Sequence, residues 1–176
     1  MNFNLSTSIE ILERTPKVMK TLLWELSDEW IKANEGKNTW NAFDIIGHLI
    51  HCENTDWIPR MDLILSKKED KTFEPFDRFA QFRNSKEKTM HNLLEEFSAL
   101  RAKNITYLKS LNLTENEFVM TGNHPAFGEV TLKQLLATWT THDFTHLAQI
   151  SRVMAKHYTQ DVGPWHQFIN VLKDRT

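Results

Sequence analysis

Two histidines, His142 and His146, stand four residues apart in the segment TWTTHDFTHLAQI. On an α-helix that spacing puts both side chains on one face, one turn and ~6 Å apart along the axis, within reach of a common ion. Leu135, Thr138 and Trp139 occupy the preceding turns of that face and Gln149 follows it, so the pair falls among residues that should point inward. Two imidazoles in an apolar interior are costly to desolvate without partners, and a shared metal ion would be one such partner. Spacing alone does not decide the matter, because histidine pairs one turn apart arise by chance and a surface or hydrogen-bonded pair explains them equally well. A third histidine, His48, changes the weighing: it lies between Ile46 and Leu49 in a segment whose composition marks it as core. Three neutral imidazoles with an open fourth position are the ligand set of a catalytic zinc-type site.

Neighbouring residues widen the candidate list. His51 follows His48 by three positions and reads as a rim histidine or a substitute ligand. Cys52, the one cysteine of the chain, is at i+4 from His48 and reads as a small core residue or a thiolate ligand. Glu53 would be a general base near an activated water, but at five residues from His48 it points ~140° off the ligand face. Asp56 and Arg60 make an ordinary i,i+4 ion pair. His124 lies in a long connection and either covers the mouth of the site or is simply solvated.

The elements that must position these residues are helical. Ile9, Leu12, Thr15, Met19, Leu22, Leu23 and Leu26 recur at helical spacing, with Ser6 or Ser8 as the cap and a kink or restart expected at Thr15-Pro16. A second helix is expected from about Thr39, bent at Pro59 and continued through MDLILS. Phe73, Phe76, Phe79 and Phe82 fall three residues apart, which predicts a short helical segment with an aromatic side. A third helix is expected over Ser85 to Leu111, and the connection holding Gly122, Pro125 and Gly128 reads as a small hairpin or ordered loop. Thr131 opens the fourth helix, and Gly163-Pro164 introduces a short terminal helix, WHQFINVLK. Short connections between long helices favour antiparallel neighbours, so the expected fold is all-α, a four-helix bundle with a short additional C-terminal helix, forming a single domain over residues 1–176.

Composition narrows the function. The chain has 176 residues, 40% of them apolar and 25% charged, with only five glycines and five prolines, which suits a globular bundle of long helices. A net charge of -2 with scattered cations leaves no footprint for nucleic acid. A single cysteine excludes a disulfide framework and a cysteine-rich zinc site. No signal peptide is apparent and no apolar stretch approaches the ~20 residues of a membrane span, so a cytoplasmic location is the simplest reading.

The segment IGHLIHCENTDWIPR, followed much later by WTTHDFTHLAQI, resembles the DinB/YfiT-like superfamily of bacterial helix-bundle metalloproteins. The resemblance runs in order over nearly the whole chain, and its motif is one histidine in the second helix plus an HxxxH pair in the fourth. It implies that His48, His142 and His146 bind a divalent metal ion, with zinc or nickel favoured and iron or copper also suited to imidazole. Relatives in that superfamily include S-transferases and isomerases that use bacillithiol or mycothiol, and proteins assigned only as metal-dependent hydrolases. The resemblance therefore implies a metal-dependent transferase that activates a low-molecular-weight thiol toward a small electrophile. Hydrolysis by metal-activated water is the alternative, and a non-catalytic metal- or ligand-binding module is a third reading. Six tryptophans and eleven phenylalanines exceed what one bundle core obviously needs, and with the habit of similar proteins this predicts a homodimer.

Overall fold

The computed structural model of the protein describes residues 2–173. Helix α1 (Leu5–Leu23) is capped by Asn4, whose side chain accepts from the Thr7 N–H, so the cap precedes the two serines expected to provide it. The helix runs through Pro16 without a restart. Proline removes the N–H that would bond the carbonyl four residues back. That carbonyl belongs to Leu12, and Arg101 from another helix donates to it at 2.9 Å, which supplies the missing bond.

After the short helix α2 (Asp28–Ile31), helix α3 (Ala42–Thr55) opens with a capping box between Asn41 and Asp44. The break between α3 and α4 (Trp57–Leu65) falls at Asp56, not at the expected Pro59. Pro59 sits in the first turn of α4, where a missing N–H costs nothing. The four-phenylalanine segment is not the aromatic helix that its spacing predicts. Only α5 (Ala80–Asn84) is helical there; Phe73 is buried, whereas Phe79 and Phe82 face solvent.

Helix α6 (Met90–Ser110) starts five residues later than expected, at a Thr89–Asn92 capping box. After α7 (Glu115–Phe118), strands β1 (Thr121–His124) and β2 (Gly128–Thr131) form the hairpin, with Thr121 opposite Thr131. Gly122 is required at its position: a Cβ there would lie 2.6 Å from the Phe73 ring. Thr131 and Gln134 then cap α8 (Leu132–Ala155). The expected terminal helix is replaced by 3-10 turns at Gly163–Phe168 and Asn170–Leu172, divided by Ile169 in an extended conformation.

Helices α1, α3–α4, α6 and α8 form a four-helix bundle. α1 packs on α6 and α8, and so does α3. The first two long helices in sequence are therefore at opposite corners instead of adjacent, because the connection holding α2 is long enough to cross the end of the bundle. Along the axis the interior is layered. Leu12, Met61, Ile105 and Leu136 belong to one apolar cluster, and Met19, Ile46, Phe97 and Ile150 to the other. Between the clusters every long helix carries buried polar groups: Thr15, His48 and Glu53, Arg101 and Asn104, Asp143 and His146. Several of the surplus aromatic residues, among them Phe127, Phe144, Trp165 and Phe168, are exposed. No helix among the described residues is long and apolar enough to cross a membrane.

Candidate metal centre

His48 comes from the middle of α3, and His142 and His146 from successive turns of α8, the pair of helices that pack across the polar layer. The His142 Nε2 atom lies 3.2 Å from His48 Nε2 and 3.1 Å from His146 Nε2. One N–H on His142 can point at only one of those two neighbours, so hydrogen bonding among the rings leaves a lone pair facing a lone pair. A cation between them removes the conflict. Metal–nitrogen bonds of about 2.0–2.1 Å put two ligand nitrogens about 2.9 Å apart at a right angle and about 3.3 Å apart at a tetrahedral angle, which brackets both spacings. The three histidines form the one group of potential metal ligands found among the described residues, and their ligand atoms all lie within 4.8 Å of one another.

The protonation of the rings fits the same use. Burial, reinforced by the other histidines, holds His48 down to about 3 and His142 to about 2. Burial also lowers His146, although Gln149 and Asp143 act against it. The rings are thus neutral near pH 7 and have lone pairs to offer. The His146 Nδ1 atom is 2.9 Å from Gln149 Oε1, a contact that fixes the N–H on Nδ1 and leaves Nε2 free to bind. His142 Nδ1 is buried with no hydrogen-bond partner among the described residues. Trp40 packs on His48 and His146 with ring centroids 4.9 and 6.4 Å away.

Behind the histidines lies an ionic network that the sequence reading missed. Arg101, 1% exposed, donates twice to Asp143, at 2.6 and 2.9 Å, and through Nε to Glu53 at 3.0 Å. Glu53 also accepts from Trp139 Nε1 at 3.1 Å and from Asn104 Nδ2 at 2.9 Å. Glu53 therefore turns away from the histidines, as its angular offset required. Burial works against the Arg101 charge, yet Glu53 and Asp143 raise its pKa further. Of this network Asp143 favours positive charge at His146, whereas Arg101 works against it at His142. The signal available in the sequence was Arg101 itself, a charged residue on the apolar stripe of Leu94, Phe97, Ile105 and Leu108.

A cleft of about 620 Å³ opens onto the three histidines and is lined also by Cys52, Asp56, Arg60, Arg78 and His124. Cys52 Sγ is 3.5 Å from His48 Nε2, and burial raises its thiol pKa well above the ordinary value. His51 stands apart, half-buried against Phe76 at a centroid distance of 4.9 Å. Asp56 and Arg60 make the expected ion pair at 2.5 Å, although burial raises the Asp56 pKa more than Arg60 lowers it. His124, on β1, stacks on Phe127 at the cleft wall.

The family model for the DinB superfamily matches residues 11–150. The chain belongs to the DinB superfamily. Among solved structures, this DinB-superfamily chain resembles YfiT from Bacillus subtilis, with a TM-score of 0.74 and 21% identity over 86% of each chain. YfiT is described as a probable metal-dependent hydrolase with an unusual four-helix bundle topology. Comparison with curated proteins gives no match.

Proposed function

We propose that the protein is a metal-dependent transferase in which His48, His142 and His146 hold a divalent ion, zinc or nickel, that activates a low-molecular-weight thiol. The observation that carries this reading is the convergence of three neutral Nε2 atoms at the floor of a cleft whose only carboxylate among the described residues, Asp56, is already paired with Arg60. A divalent ion held there lowers the pKa of a coordinated thiol or water and so supplies a nucleophile at neutral pH. A thiol needs no further base once its proton has left, whereas water attack gains from a free general base. Among the described residues the cleft contains no unpaired carboxylate for that role, which favours the thiol.

The chain's own residues orient and shield. Gln149 sets the His146 ring, and Trp40, Trp57 and Phe76 restrict water around the histidines. In the transfer itself a carbon–sulfur bond forms, the bond from carbon to the leaving group breaks, and the thiol proton passes to solvent. Hydrolysis is the second reading, favoured by the description of YfiT as a probable metal-dependent hydrolase.

The deciding experiment gives metal-loaded protein a bacterial thiol and a chloronitrobenzene. Conjugation that stops on chelation, returns with metal and is lost in His48→Ala is the expected result. Ester or amide turnover without thiol, rising with pH, would replace this reading with hydrolysis. Full metal binding with neither activity would leave a binding module.

A further inference from the structure

The cleft above the histidines contains donors that the proposed chemistry does not use. Trp40, Trp57, Phe73, Phe76 and Phe127 form an aromatic wall. Asp56 and Arg60, 2.5 Å apart, offset each other's charge. Arg78 lines the same cleft and has no carboxylate or other acceptor among the described residues.

A second donor is also uncommitted. Trp57 is 4% exposed, and its indole N–H has no acceptor among the described residues. The ring is fixed in place, stacked on Trp139 at a centroid distance of 5.8 Å and edge-on to His142 at 5.2 Å. Buried donors of this kind are uncommon in folded proteins, and a ligand acceptor is one way of satisfying them. With neutral imidazoles below, a bound divalent ion would add positive charge to the floor of the cleft.

We propose that the cleft takes a substrate with an aromatic or other apolar body and an anionic head. Arg78 anchors the anion, and the Trp57 N–H bonds an acceptor atom nearer the histidines. A guanidinium suits planar carboxylates and tetrahedral phosphonates alike, because its N–H groups pair with two oxygens at once. The subsite deepens the reading of this cleft as the approach to a metal centre, yet Arg78 acts whether or not an ion is bound.

The test titrates full-length zinc-loaded protein with phenylphosphonate and with uncharged phenylacetamide, followed by calorimetry. Phenylphosphonate is expected to bind about tenfold more tightly or better, the scale of one charge-assisted hydrogen bond. Arg78→Ala lowers that preference in the loaded protein and removes it in chelated protein, while metal content and phenylacetamide affinity stay unchanged, and Arg78→Lys keeps part of it. Trp57→Phe keeps an aromatic ring and weakens both ligands severalfold; unchanged affinities would overturn the role of Trp57. In chelated protein the Arg78-dependent part of the preference persists. Equal binding of the two ligands by the wild type, or a preference in chelated protein that survives Arg78→Ala, overturns the proposal. A wild type that holds no zinc but keeps the Arg78-dependent preference overturns the metal reading alone.

Discussion

On the α6 side of the polar layer each of the four carboxylate oxygens of Glu53 and Asp143 accepts a hydrogen bond, and Arg101 spends its N–H groups on them and on the Leu12 carbonyl. On the cleft side, at the same depth in the bundle, three imidazoles crowd their Nε2 atoms together and His142 Nδ1 has no partner among the described residues. Both regions are buried and polar, and both join α3 to α8. The first is complete within the chain; in the second the three converging Nε2 atoms are reconciled by something positive placed between them. Burial of polar groups therefore does not by itself mark a functional site. What marks it is hydrogen-bonding capacity that the protein leaves unspent.

Breaking each region should give different failures, and the larger belongs to the ionic network. Arg101→Met strands two buried carboxylates and the carbonyl opposite Pro16, so a loss of about 3–5 kcal/mol or outright failure to fold is expected by chemical denaturation. The His142→Ala, His146→Ala double variant should instead fold, with its circular dichroism retained, while stoichiometric metal disappears from elemental analysis of untagged protein. Metal should raise the melting temperature of the wild type and leave the double variant's unchanged. A double variant that keeps its metal would remove the histidines from the site.

The two regions also differ in how far the sequence revealed them. The histidines were legible because the i,i+4 pair and His48 carry their own chemistry in residue type and spacing. Thr131 was legible as the start of α8, and the Asp56–Arg60 pair as a local contact. Arg101, Glu53 and Asp143 were not, since they come from three helices and only the packing of α3, α6 and α8 brings them together. At Pro16 a local rule predicts a kink or a restart; the helix continues without a restart, and a distant guanidinium bonds the carbonyl that the proline leaves free. The four phenylalanines misled because their spacing fits a 3-10 or helical turn, while Phe73 is drawn into the core beside Gly122 and the backbone there pairs with Asn123 instead.

Acid should separate the two regions next. His48 and His142 are held far below the ordinary histidine value, so the unfolded chain binds more protons than the metal-free fold between about pH 6.5 and their depressed values. The stability they allow is present in full above about pH 6.5 and is lost as pH falls toward about 3 for His48 and about 2 for His142. Each contributes a slope of up to about 1.4 kcal/mol per pH unit in that window. Denaturant melts of metal-free wild type at pH 7.5 and pH 5 should therefore differ by more than those of the double variant. Parallel losses in both proteins would mean that the rings are not held neutral by the fold.

The smallest effect is expected at Cys52, and it sharpens the boundary between what the chain supplies and what it leaves open. Its Sγ lies 3.5 Å from His48 Nε2, which is close to the spacing of about 3.5–3.6 Å between sulfur and nitrogen on one tetrahedral zinc. Yet the thiol is 1% exposed and packs in the cluster with Trp57 and Trp139, and burial keeps it protonated. A sulfur so placed serves as apolar packing against the site. Cys52→Ser is expected to keep metal stoichiometry and thiol-conjugating activity and to lose about 1 kcal/mol of stability, the order of a buried hydroxyl imperfectly bonded. Cobalt-loaded wild type should show no intense thiolate-to-metal charge-transfer band in the near ultraviolet in the absence of added thiol, and should gain one when a thiol is supplied. A strong band before any thiol is added, lost in Cys52→Ser, would make Cys52 a fourth ligand. The centre would then be coordinatively closed, and the contrast with the self-sufficient network behind it would narrow to a difference in ligands.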